Sequence, residues 1–249
     1  GEPIVMLNAY KDINLYRFSN SIYIGVDVAT AYGRDSYAIV GVDPSNASIV
    51  FDWYGQNVDV TVIIKILLEM AKHFKNSVIV IERNLGSHII EILSQFIPDK
   101  IYIDRSSDGK PGVYTSQKTK DKMYSILYNV VSQTPEAITS KHVAIQILSL
   151  KKRKNKIVCD LEHDDLLMAY NVALYAIYND NLLQNVTEDN GISQDEEKNM
   201  LYKLLGYQTG IASQSEEQLL DNLMLIANKV NDKDMLISIY GFLDKFKSQ

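Results

Sequence analysis

The stretch Ser21-Ile22-Tyr23-Ile24-Gly25-Val26-Asp27-Val28-Ala29 predicts a central β-strand. It is apolar, rich in β-branched and aromatic residues, and followed by the small, turn-forming residues 30–33. A continuous apolar run of this length is typical of a strand that is buried on both faces. Asp27 interrupts the run, and a buried carboxylate is costly unless a cation or several hydrogen bonds compensate its charge. The stretch therefore predicts both the centre of a sheet and a candidate functional residue.

The elements on either side of this strand predict an α/β fold. Two strands follow at short spacing and complete an antiparallel meander, and two more strands come later between helices. The predicted strands are 21–29, 37–42, 48–53, 77–82 and 100–103, and the predicted helices are 58–74, 85–96, 116–131, 141–150 and 166–178. This order predicts a mixed five-stranded sheet flanked by helices.

Composition excludes several classes of protein. The chain of 249 residues is 46% hydrophobic and 22% charged, which is enough apolar material for a packed core and argues against disorder. Its single cysteine, Cys159, excludes a disulfide scaffold or a multi-cysteine zinc site and fits a reducing compartment. The longest apolar run, 58–74, contains four charged residues, so we expect no transmembrane helix.

The charge is distributed unevenly along the chain. The formal net charge is −6, but residues 1–178 carry 19 basic and 19 acidic residues, whereas residues 179–249 carry 6 and 12. We predict a remnant of an interdomain connection at 1–20, a core domain at 21–178 and an acidic helical C-terminal extension at 179–249. The extension begins with a polar stretch, 179–193, and then shows three helical patterns.

Two basic clusters lie within the electrically neutral part. Lysines at a helix start and a dense basic run are both suited to DNA phosphates, although a solvated helix face and a charged loop explain them equally well. The predicted DNA-binding residues are Lys118, Lys120, Lys122, Lys151, Lys152, Arg153 and Lys154.

Four acidic residues occupy positions where the predicted sheet meets its last helix. Asp27 lies inside the first strand, Glu82 ends the fourth, and Asp164 and Asp165 begin the helix. Taken singly, Glu82 could pair with Arg83, and either aspartate could cap the helix. Taken together, crowded carboxylates raise one another's pKa values unless a divalent cation compensates them, and their hard oxygens suit Mg²⁺ or Mn²⁺.

These motifs resemble the nuclease domain of the large terminase subunit of tailed bacteriophages, which has an RNase H-like fold. The resemblance covers about residues 20–178 and rests on three segments: Ile24-Gly25-Val26-Asp27-Val28-Ala29, Val80-Ile81-Glu82-Arg83-Asn84 and His163-Asp164-Asp165-Leu166-Leu167-Met168-Ala169-Tyr170. It implies that Asp27, Glu82 and one or both of the paired aspartates are catalytic and bind two ions, Mg²⁺ or Mn²⁺. Two such ions about 3.5–4 Å apart activate a water and stabilise the leaving oxygen of a phosphodiester.

The resemblance also implies a biological setting. The expected substrate is concatemeric double-stranded DNA, cut with little sequence specificity, and the expected partners are the portal, the small terminase subunit and a terminase ATPase domain. The chain has no Gly-x-x-x-x-Gly-Lys-Ser/Thr phosphate loop, so we expect it to be an excised C-terminal half. The expected location is the host cytoplasm during infection and, transiently, the viral procapsid.

Other functions fit parts of the sequence. A Holliday-junction resolvase or an integrase-like enzyme would keep the fold and change the task. Residues 25–30 also resemble the first phosphate loop of actin-like ATPases and sugar kinases, but that fold needs a second, duplicated half. A non-catalytic docking module of the packaging motor would leave the four carboxylates without a purpose.

Overall fold

The computed structural model describes residues 3–31, 34–153, 156–159, 161 and 164–183. The strands are β1 Ile4–Ala9, β2 Ile22–Ala31, β3 Arg34–Val42, β4 Ile49–Gln56, β5 Ser77–Ile81, β6 Leu150–Arg153 and β7 Lys156–Cys159. The helices are α1 Val60–His73, α2 Arg83–Phe96, α3 Gln117–Gln133, α4 Lys141–Leu148 and α5 Asp165–Asn179. Short 3₁₀ turns occupy Ile13–Tyr16, Pro98–Lys100 and Pro135–Ala137. Residues 184–249, which hold the three predicted C-terminal helices, lie outside the described residues.

The main sheet has five strands in the order β1-β4-β3-β2-β5. Strands β2, β3 and β4 form the predicted antiparallel meander, β1 is antiparallel to β4, and β5 is parallel to β2. The predicted α/β class, with a mixed five-stranded sheet flanked by helices, is confirmed. None of the helices that the structure describes is long and apolar enough to span a membrane.

The fifth strand of the sheet is not the predicted one. Residues 100–103 join the main sheet through an isolated bridge between Ile79 and Ile101, whereas Ile103 bridges Pro111 and Gly112. The fifth strand is β1, which lies at an edge of the sheet. Edge strands are half-solvated, and the mostly exposed side chains of β1 give no alternating pattern that predicts a strand. The segment 1–20 therefore includes an integral part of the sheet, and its origin in an interdomain connection stays a prediction.

The second basic cluster lies in a pair of antiparallel strands, and not in the charged loop that was one interpretation of it. Strands β6 and β7 pair antiparallel, from Leu150 opposite Cys159 to Arg153 opposite Lys156, as a separate two-stranded sheet. The helix predicted to reach residue 150 ends at Leu148. The pairing sets Lys151 and Lys152 opposite Val158 and Ile157. Neither strand sequence shows the alternation of apolar and polar residues that predicts a strand.

The sheet separates two layers of helices. Residues 22, 24, 26 and 28 of β2 pack with residues of α1 and α2, while α5 packs on the opposite face together with α3 and α4. Because side chains alternate along a strand, Tyr23, Gly25 and Asp27 face α5. A Cβ at Gly25 would lie 1.9 Å from the carbonyl oxygen of Ala169, so only a glycine lets α5 pack this closely on β2. This close packing fixes the start of α5 relative to Asp27.

Candidate active site at the ends of β2 and β5

Asp27 and Glu82 lie side by side on adjacent parallel strands. The parallel register pairs Val26 with Ile81, and the amide of Glu82 donates to the carbonyl oxygen of Val26 at 2.9 Å. Asp27 is the next residue of β2, and Glu82 follows the last residue of β5 as the N-cap of α2. Both side chains are nearly buried, at 8% and 7% exposure. The pairing of β2 with β5 therefore brings the two acidic residues to the same end of the sheet.

Helix α5 brings the paired aspartates to the same end of the sheet. It runs antiparallel to β2, since Tyr23 near the start of β2 donates to Asp180 at 2.6 Å and Gly25 packs against Ala169. One helical turn before Ala169 is Asp165, which is 5% exposed and accepts a hydrogen bond from Ser36 Oγ of β3 at 2.7 Å. Asp164 occupies the N-cap position, but its side chain makes no capping hydrogen bond. Helix capping therefore does not account for either residue.

The four carboxylates act on one another electrostatically. Burial raises the pKa of Asp27 well above its ordinary value, and Asp165, Glu82 and Asp164 raise it further, in that order. The charge of Lys120 acts in the opposite direction, and no hydrogen bond from the described residues lowers the pKa of Asp27. The structure thus gathers the acidic residues that the sequence distributes over about 140 positions. A cation is the natural compensation for such a group.

Glu82 is held by two contacts. Its Oε1 accepts a hydrogen bond from Thr115 Oγ1, and its Oε2 accepts one from the amide of Leu85 at 3.2 Å, which caps α2. Arg83 pairs with Asp108 at 2.6 Å, so the ion pair considered for Glu82 and Arg83 does not form. A carboxylate offers about four lone-pair positions, and these two contacts leave the others open to a further ligand.

The donor set fits a hard divalent cation by its chemistry. It consists of carboxylate oxygens, which Mg²⁺ and Mn²⁺ prefer, and its charge is only partly offset by Lys120. Within the described ranges, no three His, Cys, Asp or Glu side chains already converge on a point where an ion could be bound. The oxygens of Glu82 and Asp165 instead face Thr115 and Ser36. The carboxylates are therefore gathered in one place but not closed into a coordination sphere.

The structure separates the predicted DNA-binding lysines of α3. Lys118 and Lys120 are exposed in its first two turns, which Ser116 caps by accepting from the amide of Thr119 at 3.2 Å. Lys122 donates to Asn179 at 3.1 Å and lies over the ring of Tyr178 at 5.0 Å. Lys120 is thus close to the carboxylates, whereas Lys122 is engaged with the C-terminal end of α5.

The second group of predicted DNA-binding residues lies on the hairpin. Lys151 is half-buried on β6, and the backbone of Lys152 and Arg153 continues the same strand. Lys154 lies outside the described residues, as does His163, the first residue of the motif before α5. Binding of DNA by the hairpin stays a prediction.

Two residues that support the site were not predicted to do so. The hydroxyl of Ser36 donates a hydrogen bond to Asp165, and the hydroxyl of Thr115 donates one to Glu82. Both carboxylates that act most strongly on Asp27 are therefore fixed in position. Ser36 also hydrogen-bonds to Tyr54, whose pKa is raised by burial and by the charge of Asp165. A single hydroxyl residue carries no spacing signal, so only the fold could have identified these contacts.

Comparison with known proteins gives structural similarity without sequence similarity. No protein-family model matches the chain, and no curated protein matches it. The chain is similar in structure to a phage large terminase nuclease. The crystal structure of that nuclease from thermophilic phage G20c has a TM-score of 0.48 and 15% identity, covering 67% of this chain and 86% of the other. The same nuclease with bound magnesium has a TM-score of 0.47 and 15% identity, covering 68% of this chain and 86% of the other. With bound zinc it has a TM-score of 0.46 and 15% identity, covering 67% of this chain and 85% of the other.

Proposed function

We propose that this chain is a metal-dependent endodeoxyribonuclease that hydrolyses phosphodiester bonds of double-stranded DNA. The single observation that carries the proposal is the meeting of Asp27, Glu82, Asp164 and Asp165 at one end of the sheet. Burial and mutual repulsion raise the pKa of Asp27, and a divalent cation would compensate the crowded negative charge that contributes to this rise. A capping role accounts for Glu82, which accepts from the amide of Leu85, but not for the meeting of four carboxylates in one place.

Asp27, Glu82, Asp165 and Asp164 would hold two ions, Mg²⁺ or Mn²⁺. When bound, such ions activate a water for in-line attack and stabilise the leaving oxygen of the phosphodiester. The carboxylates supply the negative charge that retains the ions, and Ser36 and Thr115 keep Asp165 and Glu82 in place. No side chain of the cluster needs to act as a covalent nucleophile.

Basic residues would bind the DNA through its phosphates. Lys118 and Lys120 lie at the amino end of α3, where unpaired amides and positive charge attract phosphate oxygens. Lys151, Lys152 and Arg153 of β6, together with Lys154, would add contacts of the same kind. Contacts of this kind position the DNA backbone without reading base edges, which supports low sequence specificity.

In its biological setting the chain would be the nuclease part of a viral packaging terminase. It would act with a terminase ATPase domain, the portal and the small terminase subunit on concatemeric DNA, in the host cytoplasm and transiently on the procapsid. The four-carboxylate site and the motifs around Asp27, Glu82 and Asp164 support this assignment.

Plasmid cleavage tests the proposed activity. The protein should nick and linearise supercoiled DNA with Mn²⁺ or Mg²⁺ and not in EDTA, and Asp27→Ala should abolish cleavage while the circular dichroism spectrum stays unchanged. Glu69→Gln, which removes an exposed carboxylate from α1, is the matched control and should cut normally. Cleavage by Asp27→Ala at the wild-type rate would remove the proposed site. Strong preference for a four-way junction over linear duplex would favour a resolvase instead.

A further inference from the structure

The segment that precedes α3 returns along the free edge of β5. The amide of Val113 donates to the carbonyl oxygen of Ile81 at 2.9 Å, and the amide of Arg83 donates to Val113 at 2.8 Å. Gly112 has a φ of 75°, and a Cβ there would lie 2.8 Å from the carbonyl oxygen of Ile81. Both the left-handed backbone and the close approach require glycine at this position. Residues 112–113 are therefore locked to the strand end from which Glu82 projects.

Asn84 then fixes the next residues from the first turn of α2. Its Nδ2 donates to the carbonyl oxygen of Thr115 at 3.0 Å, and its Oδ1 accepts from the amide of Thr115 at 3.0 Å. One amide side chain thus pairs with both backbone groups of Thr115, as a neighbouring strand would. The result is that Thr115 cannot shift relative to α2 without breaking two hydrogen bonds.

The side chain of Thr115 uses this fixed position to contact Glu82. Thr115 is 7% exposed, and its hydroxyl donates to Glu82 Oε1 while the amide of Leu85 donates to Oε2. A hydrogen bond donated to each of its two oxygens holds the carboxylate in one orientation. A carboxylate that is already held in place binds a cation with the least rearrangement.

We propose that Thr115, clamped by Asn84, is a positioning residue that holds the Glu82 carboxylate in the orientation that binds the divalent ion. This inference rests on the proposed function, because it gives Glu82 the role of a metal ligand. Thr115 does not touch DNA or the reacting atoms in this role. It also connects Glu82 to α3, since Ser116 caps that helix and Lys120 in its second turn acts on Asp27.

The test compares two substitutions of one residue. Thr115→Val keeps the shape and removes the hydroxyl, whereas Thr115→Ser keeps the hydroxyl and removes a methyl group. Isothermal titration of the metal-free protein with Mn²⁺ should show Thr115→Val binding about 10–100-fold more weakly, as is typical when a residue that orients a metal ligand is lost. Thr115→Ser should bind as the wild type does. Thr134→Val, which removes a hydroxyl bonded to Val130 at the far end of α3, is the matched control and should also be unchanged.

Cleavage kinetics separate positioning from a general structural effect. Thr115→Val should need a higher Mn²⁺ concentration for half-maximal cleavage and should approach the wild-type rate at saturating Mn²⁺. Asn84→Ala, which removes both hydrogen bonds to the backbone of Thr115, should shift the Mn²⁺ requirement in the same direction even if Thr115→Val folds poorly.

Each result decides between the inference and the function beneath it. Wild-type cleavage with unchanged Mn²⁺ affinity in both Thr115→Val and Asn84→Ala would overturn the inference and leave the nuclease intact. Equal losses in Thr115→Ser and Thr115→Val would also overturn it, because the hydroxyl would then be irrelevant. A wild-type protein that neither binds Mn²⁺ nor cuts DNA would overturn the proposed function and the inference with it.

Discussion

Replacing Asp27 with asparagine should make the metal-free protein more stable while it destroys catalysis. The amide has nearly the same shape as the carboxylate but no charge. In the fold, burial and the charges of Asp165, Glu82 and Asp164 raise the pKa of Asp27 well above its ordinary value. The folded state therefore holds the Asp27 proton more tightly than the unfolded state does. At any pH above the ordinary pKa of an aspartate this difference opposes folding, and Asp27→Asn removes that opposition.

The sign and size of the effect follow from linkage. Between the ordinary pKa and the raised one, the folded protein binds more protons than the unfolded protein, so stability falls as pH rises through this window. The cost at pH 7 is about 1.4 kcal/mol for each unit by which the pKa is raised. A gain of 1 kcal/mol corresponds to about 2–4 °C in Tm for a protein of this size. The stability curves of Asp27→Asn and the wild type should converge at acidic pH, where Asp27 is neutral in both states.

The assay is thermal and urea denaturation in EDTA between pH 3 and 8, repeated with Mn²⁺. Asp52→Asn is the matched control: Asp52 is buried, as Asp27 is, but its oxygens accept hydrogen bonds from Asn8 at 2.8 Å, Tyr10 at 2.7 Å and Ser140 at 2.5 Å. An amide cannot accept all three, so this variant should lose stability. Added Mn²⁺ should stabilise the wild type and not Asp27→Asn. Lower stability of Asp27→Asn in EDTA at pH 7 would refute the reasoning, because the charge of Asp27 would then be compensated within the protein.

Two further predictions concern the fold and DNA binding. Gly25→Ala should lower the free energy of unfolding by at least the roughly 1–3 kcal/mol that overpacking a core costs, because the new Cβ would overlap the backbone of Ala169. Urea denaturation measures this loss, and wild-type stability would contradict the close packing of α5 on β2. Lys118→Gln combined with Lys120→Gln should weaken DNA binding uniformly across sequences and reduce its salt dependence in fluorescence titrations. Lys122→Gln should change the salt dependence little, because Lys122 contacts α5. The reverse ranking would contradict the proposed position of the DNA.

The sequence predicts the parts of the fold whose signal is local and strong. The apolar run of β2 and the apolar residues that nearly encircle α5 identify buried elements, and residues 22–28 of β2 and 165–177 of α5 are buried. The start of α3 was predictable from Ser116, a good N-cap ahead of a helical pattern. In the same way, the position of Asp27 inside an apolar run indicated a functional residue.

The parts that were missed depend on distant partners. Strand β1 forms because β4 offers it a free edge, and the β6–β7 hairpin forms from a run of cations whose apolar partners lie on the other strand. Neither segment has a pattern of its own that favours a strand. Exposed ribbons and edge strands are stabilised by pairing more than by burial, so their sequences are less constrained than those of the core.

Buried carboxylates show most clearly where sequence reasoning ends. Asp27 and Asp52 both lie in apolar strands, and the sequence alone gives the same reason to suspect each of them. The fold separates them by their partners: Asp52 accepts hydrogen bonds from Asn8 and Ser140, which are 44 and 88 positions away, whereas Asp27 meets other carboxylates. A charge satisfied by hydroxyl and amide donors holds the β1 edge and α4 to the sheet. Asp27, which lies among other carboxylates, makes no comparable stabilising contact with the residues that the structure describes. This difference in partners favours a cation site at Asp27 and not at Asp52.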